Sequence, residues 1–186
     1  AASDVYKRQG SEYWSDNEKF FSDIKSFGVN GICGSGIIEV IAEMYLAGII
    51  SSEGVIDGSL TDKFPSIIKD GRTFSYVLYH GDGDSKKKKN IVITQNDIRQ
   101  IQLAKAALYA GIKLLMDELQ ISHVDRIKLA GAFGTHISVK HAMILGLIPD
   151  CTLAKVSSIG NAAETGARIA LLNKDQRRVI ESKVKN

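Results

Sequence analysis

At 186 residues, with 44% apolar residues, a mean hydropathy of −0.04 and a formal net charge of +3, the chain reads as a soluble globular protein, either one large domain or part of a bigger one. Its longest apolar runs, such as Gly36 to Val40, are far too short to span a bilayer, so no membrane association is expected. Cys33 and Cys151 stand far apart and in no C-x-x-C pattern, which argues against a disulfide framework, a zinc site or an iron–sulfur cluster within the chain and, with no signal peptide, for a cytoplasmic protein.

Ala1 to Gln9, AASDVYKRQ, resembles translated adaptor read-through at the end of an assembled metagenomic fragment and is set aside as a non-native leader. The chain is therefore expected to be a fragment whose N-terminal part is missing. Residues 10–27 are polar with scattered aromatics, Tyr13, Trp14, Phe20 and Phe21, and receive no role. Next comes a glycine turn, Gly31-Ile-Cys33-Gly34-Ser35-Gly36, before an amphipathic helix over Ile37 to Ala47 whose apolar residues are Ile37, Val40, Ile41, Met44 and Tyr45. Gly48 suits its C-terminal cap. Such a turn presents N–H groups to an anion, with Ser35 as hydroxyl donor or N-cap. The spacing is GxxGxG, not the dinucleotide fingerprint, and the lysine of a P-loop is missing. Cys33 fits either a reactive thiol at a helix start or a small buried side chain.

Ser51 to Asp70 reads as loop-rich. Thr73 to Tyr79 alternates as a strand, and Ile91 to Ile93 is a second, shorter one. Between them Gly81 to Ser85 leads into Lys86 to Lys89, either a solvated loop tip or an anion contact. No aromatic residues interleave with the lysines, so nucleic acid is not an expected partner. Thr94-x-x-Asp97 opens a long helix that runs to about Leu119. Its apolar stripe, Ile98, Ile101, Leu108, Ile112, Leu115 and Leu119, leaves Lys105 in a gap, with Gln102 one turn earlier. Lys105 either snorkels or joins Gln102 in a polar bite on a ribose or phosphate.

Ile127 to Gly134, IKLAGAFG, reads as a buried strand running into a turn bracketed by Gly131 and Gly134. A helix follows over roughly Val139 to Leu145, stopped by Gly146 to Pro149. A strand, a glycine turn and a helix start suit a nucleotide, but equally suit tight packing. Thr152 to Ser157 is a candidate strand. Gly160-Asn161 precedes a helix from about Ala163 to Leu172, whose small residues Ala162, Ala163, Gly166, Ala167 and Ala170 would permit close approach of a neighbour. A charged tail closes the chain. His136 and His141 are five apart and share no helical face, so no metal site is expected, and no Ser-His-Asp or Cys-His arrangement marks a catalytic residue. Strands alternating with helices argue for an α/β layer.

In order, GICGSGIIEVIAEMYLAGII, ITQNDIRQIQLAKAALYAGIKLLMDEL, IKLAGAFGTHIS, AMILGLIP and IGNAAETGARIALL resemble the C-terminal part of the ATP-dependent reductive activators of corrinoid proteins over Gly28 to Leu172. That family is similar in fold to actin, the heat-shock chaperone ATPases and the sugar kinases. The resemblance implies an α/β, actin-like (ribonuclease H-like) ATPase lobe, a mixed sheet with flanking helices, over residues 28–186. It implies an adenosine loop at Gly131, Ala132, Phe133 and Gly134, and Gln102 and Lys105 beside the adenosine. Gly34, Ser35 and Gly36 would lie near the ribose or phosphates, and Gly160 and Asn161 would begin an inter-lobe connection. It also implies ATP with magnesium, a corrinoid protein of a methyltransferase system as partner, and a homodimer among the assemblies open to it. The Asp-Gly-rich phosphate turns, the magnesium ligands and the iron–sulfur domain are expected in the missing part, so the fragment alone should lack ATPase and redox activity. Ala132 stands where many superfamily members carry a second glycine. The same lobe would serve a chaperone-like ATP-switched binding module or a small-metabolite kinase, which would lack ferredoxin-spaced cysteines upstream.

Overall fold

The computed structural model describes residues 31–81 and 90–184; the leader at 1–9, the aromatic stretch at 10–27 and the lysine run at 86–89 lie outside the described residues. The chain divides into two compact units, one through Ala107 and one from Leu108.

In the first unit, helix α1 spans Gly34–Leu46 and buries Ile38, Ile41, Ala42 and Met44. Of the expected stripe, Ile41 and Met44 are buried, Ile37 and Val40 are half-buried and Tyr45 is 42% exposed, while Ile38 and Ala42 complete the inward face. Apolar residues occupy both helical stripes, so periodicity alone does not choose the inward one; the neighbouring elements do. An antiparallel sheet of order β1-β2-β3 follows, formed by Ile67–Asp70, Thr73–Tyr79 and Ile91–Ile93. β1 falls in the stretch read as loop-rich. Four residues are too few to show a period, and the strand exists because Ile67 pairs with Tyr76 and Asp70 with Thr73 across a tight turn.

The core of this unit is Ile49, Ile50, Ile56, Ile67, Val77, Ile93 and Ile98 together with the inward face of α1. Ser75, only 1% exposed, lies on the buried face of β2 and donates its hydroxyl hydrogen to the Asp70 carboxylate at 2.7 Å, which satisfies an otherwise costly buried polar group.

Helix α2, Gln95–Glu118, opens with the capping box expected from Thr94 and Asp97: the Thr94 amide donates to the Asp97 carboxylate at 2.8 Å and the Asp97 amide to the Thr94 hydroxyl at 3.2 Å. Ile98 is buried, but Leu108, Leu115 and Leu119 further along the stripe are exposed. Lys105 is exposed as well and fills no gap in a buried stripe, which corrects its expected inward placement.

In the second unit, β4 (Ile127–Leu129) and β5 (Val156–Ser158) pair in parallel, with Ile127 opposite Val156 and Leu129 opposite Ser158. Antiparallel and parallel pairing both occur, as in a mixed α/β lobe, but in separate sheets. After β4 come α3, Ala132–His136, and α4, Val139–Ile144, which is capped by Ser138 and buries Ala142. After β5 come α5, Ala162–Leu172, and α6, Lys174–Val184, a helix where the sequence suggested only a charged tail. Arg177 links them, donating to the carbonyls of Ala170 and Leu171 at 2.7 and 3.1 Å and so satisfying the end of α5.

Helices α1, α2 and α4 end alike. In α2 the Gln120 amide donates to Asp117 O at 3.1 Å and the Ile121 amide to Met116 O at 2.9 Å, with Gln120 at φ 55°. The corresponding residues in α1 and α4 are Gly48 and Gly146. A Cβ in the left-handed region costs about 1–2 kcal/mol, partly offset by the greater unfolded-state freedom of glycine. Gln120→Gly is accordingly expected to raise stability by up to about 1 kcal/mol, read from the midpoint of urea unfolding at unchanged m-value.

Candidate functional site

The parallel pair positions the first group of candidate residues. In an open α/β sheet, ligands settle in the crevice beyond the carboxyl ends of parallel strands. Here β4 runs out at Leu129 into Gly131, and β5 runs out at Ser158 into Gly160. The Ile159 amide donates to Leu129 O at 2.9 Å, and the Gly131 amide donates to Gly160 O at 2.8 Å, so the ladder continues past the strands and ties the two glycine loops together. Gly131 (φ 100°, ψ 163°) lies in a region open essentially to glycine, and Gly160 has φ 74°. A Cβ on either would face open space, so neither glycine is there for packing within the fold.

Around this point, Phe133 is 52% exposed. The Thr135 hydroxyl donates to Gly131 O at 3.0 Å, steadying the turn into α3. Ala132 is the first residue of that helix. Gly134 does not close the turn as expected: it lies within α3, where a Cβ would come 3.3 Å from that of Leu129. Its smallness serves helix-on-strand packing. Asn161 caps α5, its carbonyl oxygen accepting from the Glu164 amide at 3.3 Å and its amide donating to the Glu164 carboxylate at 3.1 Å. The small residues of α5 show no close approach: Ala162, Ala163 and Ala167 are exposed and Gly166 meets nothing.

The second group belongs to the first unit. Gly34, Ser35 and Gly36 form the first turn of α1, which begins three residues earlier than the apolar pattern indicated. Cys33, not Ser35, is the N-cap: its Sγ accepts from the Gly36 amide at 3.3 Å, and the Ser35 hydroxyl lies 3.3 Å from the same sulfur. The Gly36 amide is thereby already engaged by the chain itself.

Gln102 is half-buried on α2, and its Nε2 donates to Glu53 O at 2.8 Å. Gln95, two turns earlier on the same helix, holds the same loop: its Oε1 accepts from the Ile56 amide at 3.0 Å and its Nε2 donates to Gly54 O at 2.6 Å. A Cβ on Gly54 would collide with the Gln102 carboxamide, so the loop and the glutamine are fitted to each other. Glu53 went unnoticed in the sequence, since nothing local marks a contact between residues 49 positions apart. Its carboxyl is held below the usual carboxylate range by the Ser51 hydroxyl, then by its own backbone amide and the Ser52 hydroxyl.

Among the described residues, no three His, Cys, Asp or Glu side chains converge to hold a metal ion, and no helix is long and apolar enough to cross a membrane. Because Gly131 occupies a conformation that a Cβ strains, Gly131→Ala is expected to lower stability by about 1–3 kcal/mol in urea unfolding, although the space beside it is open.

Comparison with known proteins gives the family. Residues 8–186 match the model of the C-terminal domain of RACo, the ASKHA domain. The chain is 39% identical over 165 residues to the corrinoid activation enzyme RamQ of Eubacterium limosum, covering 84% of this chain and 27% of that protein. It superposes on a reductive activator for corrinoid, iron-sulfur protein with a TM-score of 0.72 at 34% identity, covering 83% of this chain and 24% of the other. The chain thus spans about a quarter of the length of these relatives. The family match over residues 8–186 and the superposition show that the chain belongs to the family of RACo C-terminal domains and has the actin-like ASKHA fold.

Proposed function

We propose that the chain is the nucleotide-binding lobe of an ATP-dependent activator that returns the inactive Co(II) form of a corrinoid protein to Co(I) for methyl transfer. The observation that carries this reading is the Gly131–Gly160 junction: two glycine loops, hydrogen-bonded at the carboxyl ends of parallel strands, with open space where a Cβ would stand. Such a junction admits a flat ring system or a phosphate close to the backbone. Exposed Phe133 offers an apolar surface beside it. In this reading Gly131 to Gly134 border the adenosine, with Gly134 acting through its packing on Leu129. Gln102 and Lys105 contribute from α2, Gly34 to Gly36 from the start of α1, and Gly160 and Asn161 set where the next helix begins.

Reduction of Co(II) corrinoid is uphill at cellular potentials. Bound ATP would supply the free energy that favours one conformation of the activator over another, and a partner that binds that conformation better would be reduced there. The lobe's own residues bind and orient the nucleotide. In this proposal the magnesium ligands and the iron–sulfur cluster belong to other segments of the activator, as the resemblance implies. A corrinoid protein of a methyltransferase system as partner, a homodimeric assembly and a cytoplasmic setting complete the proposal, as does a native lobe over residues 28–186 preceded by a non-native leader at 1–9.

Lys105 is exposed, so its removal separates binding from stability. In the full-length polypeptide that carries this chain, Lys105→Ala is expected to weaken ATP binding about tenfold by calorimetric titration while the urea midpoint stays unchanged. Unaltered affinity would remove Lys105, and with it the α2 face, from the site.

A further inference from the structure

We draw no further inference here: the strongest candidate, the exposed apolar face of α2 at Leu108, Leu115 and Leu119, carries nothing because nothing in the structure shows what covers it.

Discussion

The hydrogen bond from the Gly131 amide to Gly160 O, at 2.8 Å, is the constraint on which the second unit is arranged. It extends a short parallel ladder beyond its regular strands and brings together two loops that lead into separate helices. A parallel pair of three-residue strands has few bonds of its own, so this contact and the one from Ile159 to Leu129 O lengthen the ladder where it would otherwise fray. It also dictates the residues. The backbone must turn sharply at both strand ends, and with positive φ at Gly131 and Gly160 side chains are disfavoured at both points. The open space beside them is thus a by-product of how the turns are made, and it leaves main chain accessible to a ligand.

The first unit solves a different problem. A loop of polar and small residues, Ser51 to Ile56, needs partners for its backbone groups, and two glutamines of α2 supply them. Glutamine suits the task because one side chain can accept and donate at once, as Gln95 does toward Ile56 and Gly54. The same helix carries Lys105, which is exposed. Gln102 shows why a polar residue at the right spacing for a binding site can still be occupied by its own fold: its donor is already used on a backbone carbonyl.

Much of the architecture was legible from local signals. The Thr94–Asp97 capping box, the Thr73 to Tyr79 and Ile91 to Ile93 strands, and the Gly48 cap are each encoded within a few residues, and the folded chain follows them. The ordered motifs, from GICGSG to GNAAETGA, pointed to the corrinoid-activator family, and the family match and the superposed structure agree. The errors have physical causes too. Gly134 reads as turn because glycine is a breaker in isolation, but close approach of a short helix to Leu129 is an equally good reason for it. Ser35 was the better N-cap by residue preference, yet Cys33 stands one turn before Gly36 and its sulfur reaches the amide. Strand β1 is not legible locally because its four residues span only two periods.

By itself, then, the sequence determined the family, the order of elements and the residues able to start and stop them, because capping, turn formation and periodicity depend on neighbours along the chain. Tertiary structure alone decided which stripe of α1 faces inward, that Gly131 meets Gly160, and that Gln102 holds Glu53. Those pairings join segments far apart in sequence, where no local energy term favours one partner over another, and they are settled only when burial and backbone hydrogen bonding are satisfied together in the folded chain.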